Sequence, residues 1–314
     1  MANDLKKSQK VLITGGTGMV GKRLVQTLTD KGYEAVVLTR KVENQPLQHG
    51  VTYCKWDFEK DIIDENALND IDAIVHLAGS GVMDKKWTDA YRKEILQSRT
   101  ESITYLLQKL QKSKHKVKTL VSASAIGWYG PDIKQDYAFT EEDPANNHFL
   151  GKTCKLWEQS AEQAENHGIR VCKLRIGIVL SDKGGALPEF IKPIKFGVAA
   201  IFGSGKQMVS WIHVEDLCRM FLFALENDTL KGSFNAVAPA PSSNKNLVVS
   251  IAKLLKGRFW IPIFVPSLLL KCILGERSIE LLKSTTVSST KIRAAGFTIL
   301  YPEIGQALKK ILKP

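Results

Sequence analysis

The stretch VLITGGTGMVGKRLVQTL, residues 11–28, decides how the rest of the chain is read. It opens on an aliphatic, β-branched run and closes with Val20, Leu24 and Leu28 four apart, a helical period. Between them Gly15, Gly18 and Gly21 stand at G-x-x-G-x-x-G spacing. Glycine is needed where φ is positive or where two backbones approach closely. Set between a strand and a helix, these glycines let backbone N–H groups around Gly15, Thr17, Gly18, Met19 and Val20 meet a pyrophosphate, which the positive end of the helix dipole favours. The stretch therefore predicts the first βαβ unit of a dinucleotide-binding fold.

Working outward, KVLIT (10–14), EAVVLT (34–39), VTYCKW (51–56), AIVHLA (73–78) and TLVSAS (119–124) read as further strands. RVCKLRIGIVL (170–180) reads as another, after a helix around 152–167. Ile103, Leu106, Leu107 and Leu110 trace a helical stripe between two of them. Continuous apolar strands alternating with helices predict an α/β, Rossmann-like, doubly wound parallel sheet. Residues 1–180 are expected to form that dinucleotide-binding domain. After 181 the pattern becomes turn-rich, so 181–314 reads as a smaller, mostly helical lobe that caps a substrate cleft. VSWIHVEDLCRMFLFAL (209–225) and SFNAVAP (233–239) are expected to return to the main sheet.

Composition excludes several classes. The net charge of +12 is spread over scattered lysines rather than gathered into one stripe, so no nucleic-acid partner is expected. Cys54, Cys154, Cys172, Cys218 and Cys272 form no C-x-x-C pair, which argues against zinc or a disulfide framework and fits a reducing, cytoplasmic setting. MANDLKKSQK has no apolar core of a signal peptide. The apolar run FWIPIFVPSLLLKCIL (259–274) is cut by Pro262, Pro266 and Lys271. It is expected to be buried or to line the substrate cleft, with no membrane partner.

The end of the second strand selects the coenzyme. A carboxylate there would hold an adenosine ribose 2′-hydroxyl, whereas an arginine accommodates a 2′-phosphate. VVLTRK places Arg40 and Lys41 at that point, so NADP is expected over NAD.

Taken together these motifs resemble the extended short-chain dehydrogenase/reductase superfamily, of the NAD-dependent epimerase/dehydratase type. TGGTGMVG (14–21) is similar to its coenzyme turn, and WDF (56–58) to the segment whose Asp touches adenine, which implicates Asp57. HLAGSG (76–81) resembles the loop under the adenosine, implicating Leu77, Ala78 and Gly79. SASAIGWYG (122–130), with Ser122, resembles the fifth-strand signature, and WIHVEDL (211–217) the return to the sheet. QSRTES (97–102), KLWE (155–158) and the tail STTVSSTKIRAAGFTILYPEIGQAL, from Ser284, narrow the resemblance to the YfcH-like "epimerase family" proteins, in which the arginine matching Arg99 lies near the coenzyme.

The superfamily implies a Tyr and a Lys one helical turn apart, and a strand-five hydroxyl, as its proton-handling set. Here FLGKTCKLWEQSAE puts Leu150 and Cys154 at the paired positions, and Ala125 at the hydroxyl position. Lys152 and Lys155 project elsewhere on the helix. Two accounts stay open. Hydride transfer uses other donors (Ser124, Tyr129, a water or the substrate), or the protein binds NADP as a sensor with little turnover. Val209 stands where sugar-nucleotide enzymes often carry a diphosphate-gripping arginine, so the small-molecule substrate is not expected to be a nucleotide sugar. A homodimer is compatible with the sequence.

Overall fold

Strands that are apolar on both faces need a helix layer on each side, and the chain supplies one. In the computed structural model, which describes residues 9–313, β1 (Lys10–Thr14) runs through the glycine turn into α1 (Met19–Asp30), and β2 (Glu34–Thr39) lies parallel to β1. There follow β3 (Val51–Asp57), the short antiparallel β4 (Ile62–Ile63), β5 (Ala73–His76), α2 (Asp89–Leu110), β6 (Thr119–Ala125), α3 (Phe149–Glu162) and β7 (Arg170–Ile176). Next come β8 (Ile178–Leu180), α4 (Leu187–Lys195), β9 (Val198–Phe202), β10 (Met208–Val209), β11 (Trp211–His213), α5 (Val214–Glu226) and β12 (Gly232–Ala236). The chain ends with β13 (Ser242–Ser243), α6 (Asn244–Lys256), β14 (Ile261–Val265), α7 (Ser267–Leu274), α8 (Ser278–Leu282), α9 (Thr290–Ala294) and α10 (Ile304–Leu312).

The main sheet has eight strands in the order β12-β7-β6-β5-β1-β2-β3-β4. The chain starts in the middle, builds outward to β3, then crosses back to β5. The point where that order reverses lies between β1 and β5, and ligands of doubly wound sheets bind in the crevice at such a point.

Alternate residues of each strand feed opposite layers. On one face Val11, Ile13, Val37, Val75 and Val121 pack against Leu24 and Leu28 of α1 and Leu217 and Phe221 of α5. On the other, Leu12, Leu38, Ile74 and Leu120 meet the expected stripe of α2 (Ile103, Leu106, Leu107, Leu110). A third core serves the smaller lobe, with Leu187, Ile201, Trp211, Leu247, Ile251 and Leu308. The tail divides between lobes: Ile292 and Phe297 join the sheet's core, while Ile304 and Leu308 join the lobe's.

Three expectations need correction. Residues 170–180 form two strands, not one. A Cβ at Gly177 would stand 2.7 Å from the carbonyl oxygen of Ser210, and this close approach lets the chain leave β12 and pair β8 with β11 instead. Consequently, of the segment 209–225, β11 forms a small separate pair and only α5 covers the main sheet, whereas β12 does join it. Finally, 259–274 is mostly neither buried nor inside a cleft. Phe259, Ile261, Ile263, Phe264, Leu268 and Leu269 are exposed, and Leu270 is the buried residue of α7. Among the described residues no helix is long and apolar enough to cross a membrane.

The segment 284–288 straps the two lobes together. Thr285 donates its backbone N–H to Met208 (3.1 Å) and its hydroxyl to the Gly130 carbonyl (2.8 Å). Thr286 donates N–H and O–H to Asp132 (2.6 and 2.9 Å), and Val287 N–H reaches the Ser210 hydroxyl (2.9 Å). Ser288 donates to the Phe139 carbonyl at 2.8 Å.

Candidate functional site

Gly15 has φ +68°, and a Cβ there would lie 2.7 Å from the carbonyl carbon of Leu77 and 2.9 Å from the nitrogen of Ala78. A Cβ on Gly21 would stand 2.3 Å from the Gly15 oxygen. The turn is thus closed on itself and pressed against the loop after β5, where Thr14 Oγ1 accepts from both Leu77 and Ala78 N–H groups at 3.2 Å. α1 starts at Gly18 with no side-chain cap and no acidic residue in its first turn. An uncapped helix start facing a glycine cradle suits a phosphate, so these residues fit the pyrophosphate of a dinucleotide. Met19 also touches the returning loop, with its Cε 3.1 Å from a Cβ position on Gly185. A separate cavity of about 670 Å³, lined by Lys10, Glu34 and Val51, opens at the opposite ends of the strands.

At the end of β2 Arg40 is exposed, and Lys55 of β3 donates its ammonium to the Arg40 carbonyl at 2.5 Å. With Lys41 this makes a basic corner. Sequence reasoning missed Lys55, although its place two residues before the end of the half-buried strand β3 carried the signal. Asp57 ends β3, 3.8 Å from Lys60.

Arg99 lies on the inner side of α2. Its guanidinium stacks on Trp157 (5.1 Å to the ring), bonds the Ile95 carbonyl (2.9 Å) and sits 3.0 Å from a Cβ position on Gly79. Burial pulls its pKa below the usual value. Arg99 and Leu77 to Gly79 therefore belong to one wall of the crevice. His76 beneath them is held neutral, its pKa driven down to about 3 by burial and by Arg99, with one ring nitrogen on Ser102 at 2.9 Å. Ser122 is also in the strand beneath, 1% exposed, its hydroxyl on the Ala123 carbonyl.

The first turns of α3 meet the loop after β6. A Cβ on Gly127 would stand 3.3 Å from Leu150 Cβ and 3.7 Å from Cys154 Sγ. Lys152 and Lys155 point to solvent. Burial pushes the Cys154 thiol up to about 12, so it stays protonated at neutral pH. Over Leu150 and Gly127 lies a cavity of about 160 Å³ that Trp87, Arg92, Phe149 and Ile279 help to line. Arg92 rests on the faces of Phe149 and Trp87, 5.2 and 6.0 Å from their centroids, and is ion-paired with Glu276.

Ser124 and Tyr129 lie elsewhere, inside one closed polar network. Glu158 of α3 receives both Arg175 Nε (2.8 Å) and Nη2 (3.1 Å), the Ser124 hydroxyl (2.7 Å) and the Ser233 hydroxyl (2.8 Å). Arg175 also donates to the Tyr129 oxygen at 3.1 Å, and the Tyr129 hydroxyl donates to Asn235 Oδ1 at 2.6 Å. Both predicted hydroxyls are only 2% exposed. Burial pushes the Tyr129 phenol up to about 12, with Arg175 opposing only in part. The physical reason is strand alternation: Ser124, like Leu120, points to the layer of α2 and α3, where Glu158 lies, and Ala125 takes the opposite layer. His213 caps α5, accepting from Glu215 N–H at 3.1 Å, and Val209 lies in β10.

With this geometry in hand, the comparisons with known proteins are specific. The model of the NAD dependent epimerase/dehydratase family matches residues 11–236, and a domain of unknown function (DUF1731) matches 265–311. The chain is 35% identical over 303 residues to the epimerase family protein YfhF of Bacillus subtilis, covering 96% of this chain and 97% of that one. Among solved structures it is similar to the human epimerase family protein SDR39U1 (isoform2) with NADPH, at TM-score 0.82 and 28% identity, covering 96% and 99% of the two chains. It is also similar to the nucleoside-diphosphate sugar epimerase from Corynebacterium glutamicum, at TM-score 0.75 and 29% identity, covering 97% of this chain and 58% of that one. A glycine turn at the sheet's switch point, a family model over most of the chain and a relative matched nearly end to end agree: the chain belongs to the NAD-dependent epimerase/dehydratase family.

Proposed function

We propose that the protein is an NADP(H)-dependent oxidoreductase acting on a small carbonyl compound rather than a nucleotide sugar. The observation that carries the reading is the cradle of Gly15, Gly18 and Gly21 beside an arginine-ended second strand. In it, the N–H groups from Gly15, Thr17, Gly18, Met19 and Val20 hold the pyrophosphate. Arg40, with Lys41 and Lys55, holds the 2′-phosphate, and Asp57, Leu77, Ala78, Gly79 and Arg99 flank the nucleotide. Ser122 contributes through its place in the strand, since its hydroxyl is used internally. NADPH, when bound, supplies the hydride. The NADPH in the human relative's structure supports the phosphorylated coenzyme.

The substrate side is assigned to the cavity over Leu150 and Gly127. Its volume of about 160 Å³ is small for a ligand site; Trp87, Phe149, Leu150 and Ile279 give it an apolar wall, with Arg92, Asn146, Glu276 and Lys283 among its polar lining, which suits a small compound with an apolar body and a polar group. The buried Ser124 and Tyr129 hydroxyls and the neutral Cys154 thiol leave proton transfer to water or to the substrate itself. Those same three features favour a second reading, an NADP sensor with little turnover. Mixing the protein with NADPH and a panel of aldehydes, ketones and quinones separates the two. Sustained loss of NADPH absorbance, unchanged by Cys154→Ala, is expected for the enzyme; binding with no turnover on any member would replace it with the sensor.

Arg40→Asp is expected to weaken NADPH binding by more than about tenfold and to leave NADH almost unchanged, because only NADPH carries the phosphate that the guanidinium pairs with. Titration of both coenzymes by calorimetry checks this; equal losses would remove Arg40 from the site.

A further inference from the structure

We propose that the smaller lobe docks on an anionic membrane surface through β14, α7 and the adjoining turn after α4. This surface is apolar to a degree that a chain free in water does not need. Phe196 is 87% exposed, Phe259 86% and Leu268 74%, and Ile261, Phe264 and Ile273 are exposed between them. The pieces are contiguous. Ile261 N–H bonds the carbonyl of Gly197, next to Phe196, at 2.8 Å, and β14 passes directly into α7. Among the described residues β14 pairs only with β9, so its other edge is open. An exposed, uncharged edge strand is a hazard unless something covers it.

Charge selects what covers it. From Thr229 to Gly275 the chain has no Asp or Glu, but has Lys231, Lys245, Lys253, Lys256, Arg258 and Lys271. From Phe190 to Val214 it again has no acid, with Lys192, Lys195 and Lys206. The carboxylates that follow α7, Glu276 and Glu280, are engaged by Arg92 and Lys283. Lys192 is paired with Glu189 and Lys231 with Glu165, which leaves Lys195, Lys253, Lys256, Arg258 and Lys271 to give the surroundings of the apolar patch a net positive charge. A second copy packed on it about a two-fold axis would bring like charges together, which opposes self-association. An anionic bilayer offers the complementary pair: acyl chains for the phenylalanine, leucine and isoleucine side chains, and negative headgroups for the basic rim. The patch lies on the surface of the membrane and does not span it, consistent with α7 having eight residues. This replaces the expectation, drawn from a buried 259–274, that no membrane is involved.

Flotation of the full chain with vesicles of phosphatidylcholine, with and without phosphatidylglycerol, tests the assignment. Protein is expected to float with the phosphatidylglycerol vesicles at low salt, at least about tenfold more than with neutral ones, and to be released as salt rises. Phe264→Glu/Leu268→Glu is expected to abolish flotation and Arg258→Glu/Lys271→Glu to reduce it several-fold, with far-UV circular dichroism and melting temperature unchanged because the altered side chains are exposed. Three results would overturn the proposal. One is no flotation from a protein that light scattering finds monomeric. Another is no flotation from a dimer that Phe264→Glu/Leu268→Glu dissolves, which assigns the patch to a second copy. The last is equal flotation with neutral and anionic vesicles, which removes the role of the basic rim.

Discussion

Gly15→Ala is expected to cost NADPH binding by at least about a hundredfold while leaving a folded protein. A single methyl there meets backbone on the other side of the crevice, 2.7 Å from the carbonyl carbon and oxygen of Leu77 and 2.9 Å from Ala78 nitrogen. Backbone cannot rotate away as a side-chain tip can, so the turn and the β5 loop must separate. Each amide-to-phosphate bond that is lost is charge-assisted and worth about 1.5–3 kcal/mol, so losing two accounts for that factor. Gly32→Ala is the control. Gly32 also has positive φ (+84°), but a Cβ there meets nothing within 4 Å. It should carry the conformational cost of about 1–2 kcal/mol and keep full affinity. Calorimetric titration of both variants reads the difference, and normal binding by Gly15→Ala would dismantle the phosphate cradle.

The second large effect lies at Glu158. Glu158→Gln leaves the Arg175 guanidinium, 3% exposed, facing a neutral amide, and breaking such a pair costs about 3–5 kcal/mol. Thermal melting should fall by roughly 10 °C. Ser124→Ala removes one neutral donor from the same carboxylate and should cost only about 1 kcal/mol. Acid strengthens the comparison. Burial alone would raise the Glu158 carboxyl, but Arg175, Ser124 and Lys173 outweigh it and hold the pKa below the ordinary glutamate value. A lowered folded value means that the ionised form stabilises the fold above the unfolded-state pKa, and that this is lost as pH falls through the folded one. Glu158→Gln should therefore flatten the acid limb of the stability curve; an unchanged limb would mean that Glu158 is not the group responsible.

Local signals carried most of the fold. The strand around Val11–Thr14, the α2 stripe and the glycine spacing are each decided within a turn or two of chain, so period and turn chemistry suffice to read them. What sequence could not supply was direction and partnership. Ser124 and Ala125 are neighbours in sequence, but strand geometry sends them to opposite layers, and only one faces Glu158. The pairing of Glu158 with Arg175 joins α3 to β7, and nothing local announces it; the one trace was Lys173 and Arg175 at alternate positions among the buried apolar residues of β7. The break at Gly177 depends on Ser210, over thirty residues away, and the exposure of Phe259 to Ile273 contradicts a composition that elsewhere means burial.

The strap at 284–288 bears on how anything reaches the crevice. Its hydrogen bonds run at once to Gly130, Asp132 and Phe139 on one side and to Met208 and Ser210 on the other, so swinging the lobes apart as rigid jaws would break several of them together. The segment 275–283 is tied down by fewer contacts: Arg92 with Glu276, Arg277, which donates to the Met83 carbonyl, and Gln207, which donates to the Leu281 carbonyl at 3.0 Å. Three side-chain ties are easier to release than a woven seam, so Arg92→Ala with Arg277→Ala is expected to speed hydrogen exchange in 275–283 while leaving the strap protected.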